Sequence, residues 1–256
     1  MYITITDVSK TFIVKNTTLS VLSHISLEIE RGEFLCILGP SGCGKSTLLN
    51  AIAGFDTEYE GVIKIDGTAV RAPSIKNVTI FQNYGLLPWR NVLKNVELGL
   101  ESSGIPKEER ETIARRFISL VGLESFEKSH PRQLSGGMQQ RVAIARALAV
   151  NPDILFMDEP FGALDTITRL KMQDDLLRIT RSGKTTTIFV THDIEEAIYL
   201  ADRIAIMSAN PGEIRQLIPV KLPMDRDRTS DDFVLIRDRI FDILNMKQEK
   251  PIEYTI

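Results

Sequence analysis

The sequence predicts an α/β fold built on a mixed, mainly parallel sheet with helices on its faces. Residues Phe34–Leu38 form a continuous apolar run, which is typical of a strand buried on both faces. Short apolar runs return at Ile154–Met157, Thr186–Val190 and Arg203–Met207, and segments of helical periodicity separate them. Alternation of this kind predicts a parallel sheet covered by helices.

Other strands are predicted in the first third of the chain. Tyr2–Val8 alternates apolar and polar residues, as a half-buried strand does. A helix is expected at Ser46–Ala53, directly after the first buried strand, and it ends at Gly54. Shorter strands are expected at Ser26–Ile29, Val62–Ile65 and Val78–Phe81.

Helical patterns dominate between residues 84 and 149, and we interpret this stretch as a helical subdomain inserted between strands. Lys107–Val121, for example, has apolar side chains at helical spacing and is followed by Gly122. The segment from Pro211 predicts a connector and a closing helix at Asp232–Met246. The expected organisation is a single domain, 1–256, with a core of about 1–83 and 150–210, the helical subdomain at about 84–149 and a C-terminal extension at 211–256.

Composition excludes several classes of protein. The chain has 256 residues, 43% of them hydrophobic, and a formal net charge of −3, which argues against disorder and against electrostatic binding of nucleic acid. No apolar run approaches the ~18 residues that a membrane span needs, and the N-terminus shows no secretory signal pattern. The two cysteines, Cys36 and Cys43, predict free thiols in a reducing compartment rather than a disulfide framework.

A glycine-rich loop lies between the first buried strand and the helix that follows it. It matches the pattern G-x-x-x-x-G-K-[ST], in which backbone N–H groups and the helix N-terminus converge on phosphate oxygens. Lys45 would reach the β- and γ-phosphates, and the Ser46 hydroxyl would be a ligand of Mg²⁺. The competing interpretation is a strand–helix turn with a solvated lysine. The residues of the loop are Gly39, Pro40, Ser41, Gly42, Cys43, Gly44, Lys45, Ser46 and Thr47.

Two adjacent carboxylates follow the strand Ile154–Met157. Asp158 lies at the C-terminal end of this buried strand, and it is expected to hold Mg²⁺. Glu159 would point elsewhere and act as general base on the attacking water. Two acids after a strand are commonly a solvated loop start, but their pairing with a phosphate loop favours the catalytic interpretation.

A second anion site is predicted at the start of another helix. In Leu134–Arg141, a serine and two glycines precede a helix that continues to Ala149. Ser135, Gly136 and Gly137 would supply a hydroxyl, backbone N–H groups and the helix dipole to a phosphate. Two phosphate sites in one chain are explained if two copies pair head to tail. The alternative interpretation of this motif is an N-capped helix whose glycines serve packing.

In this order the motifs resemble the ATPase subunits of ATP-binding cassette (ABC) transporters, and the resemblance covers roughly Tyr2 to Gly212. It implies a P-loop NTPase fold of the RecA-like type, with an N-terminal antiparallel β subdomain and the inserted helical subdomain. It also implies ATP and Mg²⁺ as cofactors, a homodimer of ATPase subunits, and ATP hydrolysis coupled to transport.

The resemblance implies roles for further residues. Gln82 is similar to the glutamine that contacts Mg²⁺ and the attacking water, and Asp165 to an aspartate at the dimer interface. His192, after the strand Thr186–Val190, is similar to the histidine that contacts the γ-phosphate. Phe12 is the candidate for stacking on adenine, with a core phenylalanine as the alternative.

Membrane partners are implied by the same resemblance. Tyr84–Arg90 is apolar and aromatic and contains the single tryptophan, Trp89, so it is expected to contact a transmembrane permease. Core packing is the alternative explanation for this segment. The cassette would lie at the cytoplasmic side of the membrane, and a solute-binding protein would act on it indirectly.

The sequence around Phe81–Val96, together with Asp158–Asp165, is similar to the nitrate, sulfonate and taurine branch of bacterial importers. The short segment after Gly212 fits this branch, because sugar-importer relatives have a β-rich regulatory domain there. Import of a vitamin precursor or another small organic solute stays open, as does, less favoured, an exporter ATPase. A soluble cassette of translation or repair and a nucleotide kinase are disfavoured, since the first usually has two cassettes and the second has no use for Leu134–Gly137 or His192.

Overall fold

Two sheets and the helices around them form the framework of the protein. The computed structural model describes residues 1–14, 17–74, 76–81, 83–223 and 225–244. The strands are β1 (Ile3–Val14), β2 (Thr17–Ile29), β3 (Phe34–Leu38), β4 (Glu60–Ile65), β5 (Thr68–Ala69), β6 (Asn77–Ile80), β7 (Ile154–Asp158), β8 (Thr186–Thr191), β9 (Arg203–Met207) and β10 (Ile214–Pro219). The helices are α1 (Lys45–Ala53), α2 (Val92–Val96), α3 (Leu98–Ser102), α4 (Lys107–Leu120), α5 (Gly136–Ala149), α6 (Thr166–Gly183), α7 (Ile194–Leu200) and α8 (Asp231–Ile243).

The larger sheet has the order β10-β9-β3-β8-β7-β6. The pairs from β9 to β6 are parallel, which confirms the predicted parallel sheet, and β10 adds an antiparallel edge. The prediction of a plain connector after Pro211 was wrong at β10. Edge strands have a weak hydrophobic pattern because only part of their surface is buried. This strand ends at Pro219, a residue that is tolerated in edge strands.

The smaller sheet is antiparallel, with the order β2-β1-β4-β5. Its first hairpin is longer than the predicted Tyr2–Val8 and Ser26–Ile29, since β1 and β2 continue to Val14 and start at Thr17. Register shifts interrupt the pairing between Ile5 and Thr11. Because each extra residue in a bulge reverses the side-chain alternation, the period-2 pattern that identifies a strand is lost there.

Strand β3 is buried on both faces and divides the core into two parts. Phe34, Cys36 and Leu38 pack with side chains of α5, α6 and α7. Leu35 and Ile37 point the other way, into a second core that contains α1 and the antiparallel sheet. The strand is continuously apolar for this reason, as its sequence predicted.

Helices α2 to α5 follow one another between β6 and β7, where helical patterns dominate the sequence. Helix α4 has the predicted start and ends one residue earlier, and Gly122 beyond it is left-handed (φ 66°). Helix α8 has nearly the predicted start, while the predicted end at Met246 lies outside the described residues. Among the residues that the structure describes, no helix is both long and apolar enough to cross a bilayer.

Asn95 fixes the loop that precedes α2. Its side chain is fully buried, and its Oδ1 accepts a hydrogen bond from the Leu87 N–H at 2.8 Å. Its Nδ2 donates to the carbonyl oxygens of Leu87, Arg90 and Asn91 at 2.9–3.1 Å. One amide therefore binds four backbone groups of this turn, with its two N–H bonds shared among three carbonyl oxygens.

We expect Asn95→Ala to lower the free energy of unfolding by about 2–4 kcal/mol, because the Leu87 N–H and the Arg90 carbonyl lose their hydrogen bonds to the buried amide. Chemical denaturation measures the loss, and amide exchange should become faster between residues 87 and 91. Ser102→Ala is the control, since the Ser102 hydroxyl is exposed and only donates to the Leu98 carbonyl within its own helix. Equal stability of the two variants would contradict the assigned role of Asn95.

Candidate functional site

The loop between β3 and α1 has the predicted strand–loop–helix context. Gly44 caps α1 in a left-handed conformation with φ 97°. A Cβ there would lie 2.8 Å from Leu22 Cδ2 and 3.0 Å from the Val21 carbonyl oxygen. Both the conformation and the close approach of β2 therefore require glycine at this position.

Lys45 lies under this loop and is only 5% exposed. Its Nζ donates to the carbonyl oxygens of Gly39 and Pro40, at 2.8 and 2.9 Å, so the ammonium group is held at the centre of the loop. Beside it is a cleft of about 340 Å³. The cleft is lined by Val21, Ser41, Gly42, Gly44, Lys45, Ser46, Thr47 and Glu159.

Ser46, which lines this cleft, contacts Asp158. The Ser46 Oγ donates to Asp158 Oδ1 at 3.0 Å, although the residues are 112 positions apart. Burial raises the pKa of the Asp158 carboxyl, and the hydrogen bond from Ser46 only partly opposes it, with Glu159 adding a further upward shift. A hydroxyl and a carboxylate oxygen side by side are the hard donors that Mg²⁺ prefers, so these residues fit the ion.

Glu159 and His192 form a second pair at the same edge of the sheet. Glu159 has a left-handed backbone (φ 48°), and its N–H donates to the Val190 carbonyl at 3.0 Å. Its Oε1 lies 3.0 Å from Nδ1 of the exposed His192. The parallel strands β7 and β8 end together, and this brings the two predicted residues into contact.

The predicted second anion site is at the N-terminus of α5. The Ser135 Oγ caps the helix by accepting from the Met138 N–H at 3.3 Å. A Cβ at Gly137 would lie 3.1 Å from the Ala163 carbonyl oxygen, so this helix start packs closely on the segment after β7. The cleft here has a volume of about 350 Å³ and is lined by Ser135, Gly136, Gly137, Met138, Arg141, Ala163, Leu164, Asp165 and Thr168.

Gln140 is a site residue that sequence reasoning missed. It is 2% exposed, its Nε2 donates to the Glu159 carbonyl at 3.4 Å, and its Oε1 accepts from the Ala163 N–H at 3.1 Å. The amide thus ties α5 to the segment that carries Glu159. An uncharged polar residue on the buried face of an apolar helix was the available signal.

The remaining predicted residues are less closely gathered. The Asp165 side chain caps α6 by accepting from the Thr168 N–H at 3.0 Å, and hydrogen bonding by Thr168 lowers the pKa of that carboxyl. Phe12 is exposed, with Lys10 Nζ 4.9 Å from its ring centre, so the alternative of a core phenylalanine is wrong. Gln82 lies outside the described residues.

The Tyr84–Arg90 segment lies at the surface, and hydrogen bonds from helix α5 fix the start of its backbone. Arg146 of α5 donates to the carbonyl oxygens of Gly85 and Tyr84, at 2.7 and 2.8 Å. Trp89 is 71% exposed, so core packing does not explain the single tryptophan. The segment presents an aromatic side chain on a fixed backbone.

Gly212 supports the phosphate loop from outside the predicted motifs. Its N–H donates to the Val21 carbonyl at 2.9 Å, and its carbonyl accepts from the Ser23 N–H at 3.0 Å. A Cβ at this position would overlap the carbonyl oxygen of Cys43 and lie 3.1 Å from Met207 Cε. The requirement here is for space, because the backbone of β2 and the loop touch this residue on both sides.

These clefts, with the motifs in this order, define an ATP-binding cassette. The sequence profile of the ABC transporter family matches residues 22–162. An uncharacterized ABC transporter ATP-binding protein of Methanocaldococcus jannaschii is 50% identical over 238 residues, which cover 93% of this chain and 89% of the relative. The aliphatic sulfonates import ATP-binding protein SsuB of Bacillus subtilis is 46% identical over 256 residues (99% and 98%). The nitrate import ATP-binding protein NrtD of Synechocystis sp. is 44% identical over 227 residues (89% and 85%).

Solved structures agree with these relatives. A dimeric bacterial ABC transporter cassette superposes with a TM-score of 0.79 at 35% identity, over 86% of this chain and 100% of that chain. The post-hydrolysis state of that cassette, bound to ADP and phosphate, gives a TM-score of 0.78. The chain belongs to the ABC transporter family. The predicted fold and the predicted class, an ATPase coupled to transport, are confirmed.

We expect Gly212→Ala to weaken ATP binding about tenfold or more, equivalent to at least ~1.4 kcal/mol, because the added methyl group displaces the Cys43 backbone. Titration with a fluorescent nucleotide measures the dissociation constant. Gly99→Ala is the matched control, since its Cβ would overlap Val150 Cγ1 far along the chain from the loop. The same loss of affinity in both variants would show that general destabilisation is responsible, and not the contact between Gly212 and the backbone of the loop.

Proposed function

We propose that this chain is the ATP-hydrolysing subunit of an importer for a small anion of the sulfonate, taurine or nitrate kind. The observation that carries the ATPase part is the meeting of two pairs, Ser46 with Asp158 and Glu159 with His192, beside one phosphate loop. The substrate class is supported by the names of the sulfonate and nitrate import relatives, and these agree with the branch that the sequence resembles.

We assign the nucleotide triphosphate to the loop Gly39–Thr47. Its N–H groups and the N-terminus of α1 would bind phosphate oxygens, and Lys45 would turn from its loop carbonyls to the β- and γ-phosphates. Mg²⁺, held by Ser46, Asp158 and Gln82, would neutralise phosphate charge. Phe12 would stack on the adenine from the exposed part of the hairpin.

Hydrolysis is assigned to Glu159 and His192. Glu159 would orient a water molecule and accept its proton, and its left-handed backbone aims the side chain away from Asp158. His192 holds the Glu159 carboxylate at 3.0 Å and would contact the γ-phosphate. Most of the rate enhancement would come from position and electrostatics, because this chemistry needs no covalent intermediate on the protein.

A head-to-tail homodimer is the assembly that this arrangement supports. The phosphate-loop cleft and the cleft at Ser135–Gly137 are lined by different sets of the described residues. A triphosphate bound by one copy would therefore be covered by Ser135, Gly136 and Gly137 of a second copy. Asp165, on the rim of the second cleft, would lie at this interface.

The membrane partner is a permease, and Tyr84–Arg90 is the surface proposed to contact it. The exposed Trp89 on a rigid loop has the character of an interface anchor. The cassette would thus be attached peripherally to the cytoplasmic side of the membrane, and a solute-binding protein would act through the permease.

The test of the whole proposal is reconstitution with a candidate permease and its solute-binding protein from the same organism. ATPase activity should rise when the partner binding protein is loaded with an alkanesulfonate, taurine or nitrate, each tried separately. Stimulation by an unrelated solute alone, such as a vitamin precursor, would overturn the anion assignment while leaving the ATPase assignment intact.

Glu159→Gln should reduce ATP turnover by about 100-fold or more while ATP binding is retained, because the amide cannot accept the proton of water. Size-exclusion chromatography with ATP should show an accumulated dimer. Glu109→Gln, on the exposed face of α4, is the control and should turn over normally. Turnover near the wild-type rate in Glu159→Gln would contradict the base assignment.

Trp89→Ala should weaken co-purification with the permease and leave the ATPase rate of the isolated cassette unchanged, because the side chain contacts solvent. Hot-spot aromatic residues cost about 2 kcal/mol or more on truncation, so the dissociation constant for the permease should rise roughly 30-fold. Leu235→Ala, also a large exposed apolar residue, is the control on α8. If both variants were retained equally, the assignment of Tyr84–Arg90 as the permease surface would be wrong.

A further inference from the structure

A buried carboxylate lies behind the loop that carries His192. Glu196 of α7 is 7% exposed, and both of its oxygens accept hydrogen bonds. Oε2 accepts from the Thr191 hydroxyl at 2.8 Å, and Oε1 accepts from Gln173 Nε2 at 3.1 Å. Thr191 and Gln173 are themselves buried, so these bonds form away from solvent. Packing of α7 would be served by an apolar residue, and burial of a carboxylate there is costly.

The first bond fixes the backbone next to His192. Thr191 is the last residue of β8 and directly precedes the histidine. While its hydroxyl donates to Glu196, its Oγ1 accepts from the Asp193 N–H at 3.0 Å. The Asp193 side chain then caps α7 by accepting from the Glu195 and Glu196 N–H groups. The residues on both sides of His192 are thus tied to α7.

The second oxygen connects this loop to the segment before α6. Arg169 Nε lies 3.9 Å from Glu196 Oε1, and Arg169 Nη2 donates to the Leu164 carbonyl at 3.1 Å. Leu164 directly precedes Asp165, at the rim of the second cleft. Gln173, which donates to Glu196, also accepts from Arg228 of the C-terminal extension at 2.5 Å. One carboxylate therefore joins three separate parts of the chain.

Electrostatics at Glu196 are balanced by its neighbours. Burial raises the pKa of the carboxyl, and the Thr191 hydrogen bond lowers it. The Asp193 charge also raises this pKa, while the Arg169 charge and the hydrogen bond from Gln173 lower it. What the site requires at this position is an acceptor on both sides, because its two hydrogen-bonding neighbours donate.

We propose that Glu196 is a positioning residue for hydrolysis, which holds His192 at Glu159 by fixing Thr191 and joins that loop to the Leu164–Asp165 segment. This inference rests on the role proposed above for His192. Glu196 reaches the chemistry only through its neighbours, and its own contacts are with Thr191, Gln173 and Arg169.

The test compares Glu196→Gln with Glu195→Gln. Glutamine keeps the size, but its NH₂ group must face one of the two donors. Facing Gln173 it opposes another NH₂ group, and facing Thr191 it forces the hydroxyl to turn its proton away and accept. We expect kcat for ATP to fall about tenfold in Glu196→Gln with KM little changed, because the phosphate loop is untouched. Glu195 is exposed and pairs only loosely with Arg237 at 3.5 Å, so its variant should keep the wild-type kcat.

A double-mutant cycle separates positioning from simple loss of stability. Added to His192→Ala, the Glu196→Gln change should cost little more, because the group it positions is already absent. The same tenfold loss in both backgrounds would overturn the proposal, as would a wild-type kcat in Glu196→Gln.

The imidazole signals provide a readout that does not depend on catalysis. The chain has three histidines, so ¹⁵N-labelled imidazole spectra can be assigned by single substitutions. In Glu196→Gln the His192 signal should shift, while those of His24 and His130 stay in place. An unshifted His192 signal would refute the positioning role. If His192→Ala turned out to keep full kcat, the role of His192 in the proposed function would fail, and the imidazole spectrum would still decide whether Glu196 positions the loop.

Discussion

Close contact between the phosphate loop and the backbone around it is the constraint on which the site depends. Gly44 meets Val21 and Leu22 of β2, and Gly212 fills the space between Val21 and the Cys43 carbonyl. The antiparallel sheet and the segment after β9 are therefore parts of the nucleotide site, because they set where the loop can lie. Lys45 also stabilises the loop, because its ammonium group donates hydrogen bonds to two carbonyl oxygens of the loop. A loop held on all sides can present N–H groups to a phosphate without first being ordered.

Parallel strands then bring together the residues that are proposed to react. β7 and β8 are adjacent in the sheet and end at the same edge, so Asp158, Glu159 and His192 converge although the chain separates them by over thirty residues. The left-handed turn at Glu159 divides the two carboxylates, one facing Ser46 and the other His192. A single change in backbone direction thus gives two neighbouring acids two different partners.

The sequence was sufficient for the buried strands, for the strand–loop–helix context of the phosphate loop and for the polar residues at the strand ends, because each is a local pattern with its own physical meaning. The chemistry assigned to those residues stays a prediction. The sequence was insufficient for β10, whose edge position leaves only weak patterning. It also did not reveal Gly212, Gln140 or Glu196. Their roles arise from contacts with residues distant in the chain, such as Val21 with Gly212, and no local periodicity encodes such a meeting. Even so, a buried glutamine on α5 and a buried glutamate on α7 are the kind of exception that marks a site.

Helix α5 connects the proposed nucleotide site with the surface proposed to contact a permease. Its first turn carries Ser135 at the second cleft, and Gln140 one turn later bonds the Glu159 carbonyl. Near its other end, Arg146 holds the carbonyls of Tyr84 and Gly85 beneath the exposed aromatic surface. A helix of 14 residues spans about 21 Å, so one continuous element joins these two ends. Gln140 joins the helix to the segment that bears the proposed base, and Arg146 joins it to the proposed permease surface. If both proposals hold, α5 is the element through which the geometry of hydrolysis and the permease contact affect each other.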